Sequence, residues 1–271
     1  MECRTALNRS GIPGVDWCLN PYLGCRHACV YCYASFMSRF TGIHDPWGSY
    51  ALPKENVDKV LARQLRRIRS GTVVLSSVTD AYQPEEARLG LTRSCLRLLV
   101  DTDMEVSILT KSDLVVRDLD VLRRFRDLDG RQRASVGFSL TTLSDEMAEV
   151  LEPGASAPSA RLAALEKVAA TGISTWVFLA PLIPGVADDP QTLSRMVTEV
   201  RARGASRVDF DPLNFYPASV SRLAAALSRG FPSAATALRE ASRHAEDWRC
   251  QIRDLADRIG GTPGAMPPAS A

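Results

Sequence analysis

The sequence has no long apolar run. Its longest, at residues 176–183, falls far short of the roughly 20 residues a membrane span needs, so no membrane role is expected. It has little imbalance of charge: 33 Lys and Arg face 31 Asp and Glu, a formal net charge of +2. That balance argues against a protein that lives on the nucleic-acid phosphate backbone, although it leaves room for a local basic groove. Aromatic residues are only 7% of the chain, and the composition otherwise sits near the globular average, which disfavours collagenous, coiled-coil and disordered classes. The cysteines lack pairing. Seven is an odd number, and a disulfide framework needs pairs in a short secreted chain. Residues 1–7 show no apolar signal-peptide core, so a reducing, cytoplasmic location is expected.

At 271 residues the chain can bury one sizeable core, as one large α/β domain or two smaller ones. Six short β-branched runs, at 15–19, 72–78, 105–110, 135–140, 175–180 and 207–211, alternate with helix-period segments. In 55–69, Val57, Val60, Leu61, Leu65 and Ile68 share one apolar face; segments 160–170 and 190–203 repeat the pattern. Gly71, Gly172 and Gly204 mark helix ends just before strands. Near-continuous apolar strands joined through helices predict parallel pairing with right-handed crossovers. Six such units are fewer than the eight of a closed barrel, leaving a partial (β/α) barrel or a doubly wound sheet. Residues 1–14 read as a loose N-terminal extension and 15–216 as the α/β core. Residues 217–258 read as a helical segment packed beside it, and 259–271 as a disordered Gly/Pro/Ala-rich tail.

Cys25, Cys29 and Cys32 crowd into eight residues with the spacing C-x3-C-x2-C. They follow the first strand and enter a segment of helical character. Three thiolates in one loop can ligate three corners of a [4Fe–4S] cluster, leaving one iron open to a small molecule. A zinc site, with His27 or a distant cysteine as fourth ligand, is the alternative, although the second Cys pair usual in zinc motifs is missing. Cys95 reads as a core residue of an apolar helix. Cys3 is unassigned.

With Tyr31 in the aromatic slot, C-x3-C-x-aromatic-C resembles the signature of radical S-adenosylmethionine (SAM) enzymes. The resemblance extends to the spore photoproduct lyase-like branch through Asn20-Pro21-Tyr22, Tyr31-Cys32-Tyr33-Ala34 and Thr79-Asp80-Ala81-Tyr82-Gln83-Pro84. It continues in Leu109-Thr110-Lys111, Gly137-Phe138-Ser139-Leu140-Thr141, Leu151-Glu152-Pro153-Gly154 leading into Arg161, and Ala180-Pro181-Leu182-Ile183-Pro184-Gly185. It covers about residues 18–215.

The resemblance implies a partial (β/α)6 barrel, consistent with six strands. It implies a [4Fe–4S] cluster on Cys25, Cys29 and Cys32 and SAM chelated by the open iron. One electron from an external flavodoxin- or ferredoxin-type reductant then yields a 5′-deoxyadenosyl radical that removes hydrogen from a substrate carbon. Tyr31 falls where the adenine is contacted; Thr79, Asp80, Lys111, Ser139, Thr141 and Pro181 fall among the other SAM contacts. Lys111 suits the methionyl carboxylate as a flexible point charge. Glu85 and Glu86 read as solvated helix face, and Tyr22 and Tyr82 as packing.

The sequence departs from the lyase at Ser77, where the lyase carries a hydrogen-donating cysteine. A serine O–H bond is far stronger than a thiol S–H bond, so Ser77 cannot return hydrogen to a carbon radical readily. Cys18 and Cys250 are the spare thiols, and Cys250, in the helical C-terminal segment, is the favoured donor. A donor on the face opposite the radical resembles the outline of aminoglycoside radical SAM epimerases. Asp209 and Asp211 lie two apart on a strand and share a face, suiting the cationic amines of an aminosugar. The resulting expectation is an epimerase of a small polar molecule; the alternative is a nucleic-acid repair or modification enzyme. For the latter, Arg63, Arg66, Arg67 and Arg69 on one helix are the basic run in support, and such a run is more often a solvated face.

Overall fold

The computed structural model describes residues 1–37, 42–260 and 262–263. Its strands are β1 (Leu7–Arg9), β2 (Trp17–Leu19), β3 (Tyr22–Gly24), β4 (Ala51–Pro53), β5 (Ser70–Leu75), β6 (Asp103–Thr110), β7 (Ala134–Ser139), β8 (Ser174–Leu182), β9 (Arg207–Pro212) and β10 (Thr262–Pro263). β3 and β4 pair antiparallel on their own, and the rest form one sheet in the order β1-β2-β5-β6-β7-β8-β9-β10. From β2 to β10 every neighbour is parallel. The order from β2 to β9 never reverses. A doubly wound sheet needs a reversal, whereas one-directional right-handed crossovers place all helices on one face. The architecture is therefore an open six-unit β/α barrel.

Each predicted strand has its counterpart in β2 or β5–β9. β5 stops at Leu75, short of residue 78, because Ser76 takes a left-handed backbone with φ of 69°. The expected helix at 55–69 is shorter, Val57–Gln64. Bonds from Arg66 N to Arg63 O and from Arg67 N to Gln64 O tighten its end into a turn. The N-terminal segment is not loose: β1 pairs antiparallel with β2, and Gln64 bonds the Ala6 and Leu7 amides. Most of the tail expected at 259–271 lies outside the described residues, but β10 pairs with β9. No helix among the described residues is long and apolar enough to cross a membrane.

Leu75, Ile108, Val136 and Leu179 on the strands are fully buried, and so are Leu61, Leu96, Leu165 and Met196 on the covering helices. The other sheet face looks inward. There Arg207 stacks 5.0 Å over the Trp176 ring and pairs with Asp209, filling the N-terminal end of the barrel. Gly137 provides the space for Trp176. Helices Pro217–Gly230, Pro232–Arg243 and Ala245–Arg258 follow β9. The first two bury Leu223, Leu227 and Leu238 in a cluster with Cys29, Tyr31 and Ile183. The third packs Ile252, Leu255 and Ala256 onto the main core. It is fixed by Trp248, which meets Phe215 edge-on at 5.5 Å and donates to Asp188 Oδ2 at 3.2 Å.

A Cβ on Gly137 would lie 2.3 Å from the Trp176 ring. Gly137→Ala is therefore expected to cost about 1–3 kcal/mol. Urea unfolding checks this as a lower midpoint at constant slope; an unchanged midpoint would show that the indole yields freely.

Candidate active site

Leaving β3, the chain turns through the cysteine loop and enters the expected helical segment, a 3₁₀ helix, Tyr33–Met37. The loop is held from several sides. Its Arg26 amide donates to the buried Gln83 side chain at 3.0 Å, and its Val30 amide to Leu151 O at 2.9 Å. The backbone of Gly154 comes so close that a Cβ there would meet Arg26 O at 1.9 Å. Arg222, from helix Pro217–Gly230, donates to Val30 O at 3.0 Å and Cys32 O at 3.1 Å. Cys25 and Cys29 are buried and Cys32 is half-buried. Burial, with Asp80 nearby, pushes the Cys25 thiol up to about 12. Burial also raises Cys29 and Cys32. Such thiols ionise readily only against a metal.

Beside the loop lies a buried charge network. Glu152 pairs with Lys111 Nζ at 3.2 Å and with Arg161, and it accepts hydrogen bonds from the Tyr31 and Thr141 hydroxyls. Burial alone would raise this carboxyl, but Lys111 and Arg161 outweigh it and bring it down to about 2. Arg161 also donates to Ser139 O at 2.8 Å and Ser156 O at 2.7 Å. Lys111 Nζ donates to Ser139 Oγ at 2.5 Å and stands 5.5 Å from the Tyr31 ring centroid.

The three cysteines open into a cavity of about 540 Å³ at the C-terminal ends of the strands, where parallel sheets place their ligands. Its far wall is the helix Ala245–Arg258, which contributes Arg249, Ile252 and Arg253. Asp211, at the end of β9, also lines it, and burial pushes this carboxyl up to about 6, against the pull of Arg249 and Arg253. Two buried polar atoms on residues of the wall, Trp47 Nε1 and Ser76 Oγ, have no hydrogen-bond partner. Such atoms suit a bound polar group. No three His, Cys, Asp or Glu among the described residues are grouped as ligands of one ion. A cluster binds each thiolate through a different iron, so its ligands need not converge as zinc ligands do.

Comparison with protein families matches residues 19–196 to the radical SAM superfamily. The chain belongs to the radical SAM superfamily. An uncharacterized protein of Methanocaldococcus jannaschii is 35% identical over 69% of this chain and 68% of its own length. An uncharacterized protein of Mycobacterium tuberculosis is 30% identical over 89% of this chain and 72% of its own. Among solved structures, a mutant spore photoproduct lyase with bound AdoMet and dinucleoside spore photoproduct superposes with a TM-score of 0.66. That similarity covers 94% of this chain and 76% of the lyase at 17% identity, so it speaks for the fold alone. Membership implies a [4Fe–4S] cluster and SAM as cofactors, and with them an external reductant and a substrate.

Of the residues expected to serve this radical SAM site, Cys25, Cys29, Cys32, Tyr31, Thr79, Asp80, Lys111, Ser139, Pro181 and Asp211 all line the cavity. Several are already engaged. The Thr79 hydroxyl donates to Gly24 O. Asp80 accepts from the amides of Tyr82 and Lys111 and from the Thr110 hydroxyl, and pairs with His27. These two residues shape the loop and the turn. Five expectations need correction. Thr141 does not line the cavity; it is buried behind Tyr31, bonding the phenol, Glu152 and Ala180 O. Asp209 shares its strand face with Asp211, but one layer lower, where it pairs with Arg207 at 2.9 Å. Cys250 is exposed and points away from the cavity that its neighbour Arg249 lines. Cys18 is buried in β2 and does not line the cavity either. Glu86, expected on a solvated face, is fully buried, bonded by Tyr22 and Arg117.

Glu152, Arg161 and Arg222 were not foreseen as site residues. The first two lie in a motif that the resemblance marked, without a role. Arg222 carries no local signal.

Glu152 has an ordinary value of 4.5 and titrates near 2 when folded. The unfolded chain therefore binds this proton first. The stabilisation is complete above about pH 5 and is lost as pH falls towards 2, by on the order of 3 kcal/mol. Glu152→Gln is expected to abolish that dependence and to cost about 3–5 kcal/mol at pH 7, because Arg161 stays buried. Urea unfolding from pH 7 to pH 3 tests both; a variant as stable as the wild type at pH 7 would refute the bridge.

Proposed function

We propose that this chain carries a [4Fe–4S] cluster on Cys25, Cys29 and Cys32. SAM binds beside Tyr31, Lys111 and Ser139, and the enzyme removes a hydrogen atom from a small polar substrate held near Asp211. The observation that carries the reading is a single cavity lined by all three thiols, the strand-end polar groups and one charged helix face. When bound, the cluster and SAM supply the one-electron chemistry that generates a hydrogen-abstracting radical; the electron comes from a flavodoxin- or ferredoxin-type donor.

The chain's own residues set the frame for this chemistry. Lys111, fixed by Ser139 and Glu152, presents a positive charge suited to a carboxylate. Tyr31 is a rigid wall because its hydroxyl is tied to Glu152 and Thr141. Phe178, Leu182, Leu213 and Ile252 provide an apolar lining that limits water. The cavity volume of about 540 Å³ lies within the roughly 300–1,000 Å³ of small-molecule sites. It is shared with the cofactor, so the part of the substrate that enters is small. Asp211 suits an amine, as in an aminosugar, and Arg249 or Arg253 suits an anionic or carbonyl group of the same molecule.

The exposed position of Cys250 weighs against a donor role for this thiol. Among the described residues, the thiols lining the cavity are those of the cysteine loop. An epimerase outcome would therefore need hydrogen from another source. Action on a nucleic-acid base is the second reading, and it rests on the shared lyase fold.

Anaerobic reconstitution with iron and sulfide, followed by dithionite and SAM, is expected to give a brown protein that forms 5′-deoxyadenosine. Cys29→Ala is expected to form none. A colourless zinc protein would sink the reading. Screening aminoglycosides, nucleosides and damaged DNA for stimulated SAM cleavage identifies the substrate class; stimulation by DNA alone would replace the small-molecule reading. With the substrate found, Cys250→Ala is expected to leave deuterium incorporation from D2O unchanged, and a loss would restore Cys250 as donor. For an amine substrate, KM is expected to rise as pH falls below about 6, the value to which burial raises Asp211. Asp211→Asn is expected to remove that limb.

A further inference from the structure

Arg222 reaches from the helical segment to the cysteine loop. It stands in the first half of helix Pro217–Gly230 and is half-buried. Its Nε donates to Val30 O at 3.0 Å, and one Nη to Cys32 O at 3.1 Å and Ser35 Oγ at 3.1 Å. Ser219, one turn earlier and buried, donates to the same Cys32 carbonyl at 3.4 Å. All of these acceptors are neutral. Among the described residues, no carboxylate pairs with Arg222. A partly desolvated guanidinium without a counter-ion is costly. The guanidinium therefore stands against the backbone of the cysteine loop with its charge unmatched by any carboxylate among the described residues.

On the reading that Cys25, Cys29 and Cys32 hold a [4Fe–4S] cluster, we propose that Arg222 is its positioning and potential-setting residue. It anchors the Cys32 end of the loop and places a fixed positive charge beside the cluster. Reduction brings one electron from the external low-potential donor onto the cluster. No atom is transferred and no bond changes, but the site gains one negative charge. A cation close by in a medium of low dielectric favours the reduced form, so it raises the reduction potential. The planar fork also spans the two carbonyls that bracket the aromatic slot in a fixed geometry, which a rotating ammonium does not pre-set. Arg222 thereby couples the C-terminal helices to the ease with which the cluster accepts its electron.

The test is a redox titration of the reconstituted full-length chain, monitored by electron paramagnetic resonance with dithionite as reductant. Arg222→Gln keeps hydrogen-bonding capacity and removes the charge; its midpoint is expected to be more negative than that of the wild type. Arg222→Lys keeps the charge and loses the fork. Its midpoint is expected to stay close to the wild type while the cluster is lost faster to a chelator. Full cluster occupancy with an unchanged midpoint in Arg222→Gln overturns the proposal. Should Arg222→Gln retain no cluster, Ser219→Asp sets a carboxylate against the guanidinium and cancels its charge in place. A negative shift there supports the proposal and an unchanged midpoint overturns it. If that variant also holds no cluster, Arg222→Lys decides: faster loss of the cluster to the chelator at a wild-type midpoint supports the positioning role, and wild-type retention or a fall in midpoint overturns the proposal. A wild-type chain that takes up no cluster would instead sink the proposed function itself.

Discussion

The buried carboxylate of Glu152 is the contact through which the parts of the site depend on one another. Alone it would be strongly disfavoured away from water. Between Lys111 and Arg161, with two hydroxyls donating to it, it is held ionised. Each partner comes from a different piece of the fold. Tyr31 is in the cysteine loop, Lys111 follows β6, Thr141 follows β7, and Arg161 stands on the helix Pro158–Ala169. One anion thus sets the cysteine loop, two strand ends and a covering helix in register. A pair so buried contributes less to net stability than its geometry suggests, because desolvation offsets much of the attraction. What it supplies is a defined arrangement: the aromatic wall and the ammonium cannot move without leaving an unpaired charge.

The remaining supports follow the same division of labour. Thr79 and Asp80 are consumed in shaping the turn after β5, and His27 pairs with Asp80 from inside the cysteine loop. Gly154 and Gln83 hold the same loop at Arg26, and Arg222 holds it at Val30 and Cys32. Much of the polar chemistry in the strand-end motifs therefore positions a loop. The groups left to face a ligand are fewer and more specific: the thiols, Lys111 with its third donor, and Asp211 opposite Arg249 and Arg253. This also explains why the cavity is apolar over much of its wall although the motifs around it are polar.

The α/β class was legible because strands buried on both faces are apolar runs, and the six runs recur as β2 and β5–β9. The short pairs β1 and β3–β4 were not: β2 is as short, but it lies inside the run at 15–19, whereas Leu7–Arg9 and its like belong to no such run. Helix length at 55–69 was overestimated because the apolar face runs on past the point where the backbone tightens. The grouping of Cys25, Cys29 and Cys32 was legible because it is local, three thiols in one loop. Glu86 was misread because its charge suggested water, whereas Arg117 and Tyr22 meet it inside the core.

The sequence by itself determined what depends on neighbours along the chain: strand and helix periodicity, the spacing of three thiols, and the class of chemistry that spacing supports. Only the tertiary structure decided which distant side chains meet. Tyr31 and Glu152 are 121 residues apart, and Arg222 and Cys32 are 190. Their contacts arise from how helices dock on the sheet, which no local pattern records. The same holds for the direction in which a side chain points. Cys250 and Arg249 are adjacent, yet a helix turns about 100° per residue, and docking the 245–258 helix through Ile252 and Ala256 puts the arginine in the cavity and the thiol in solvent.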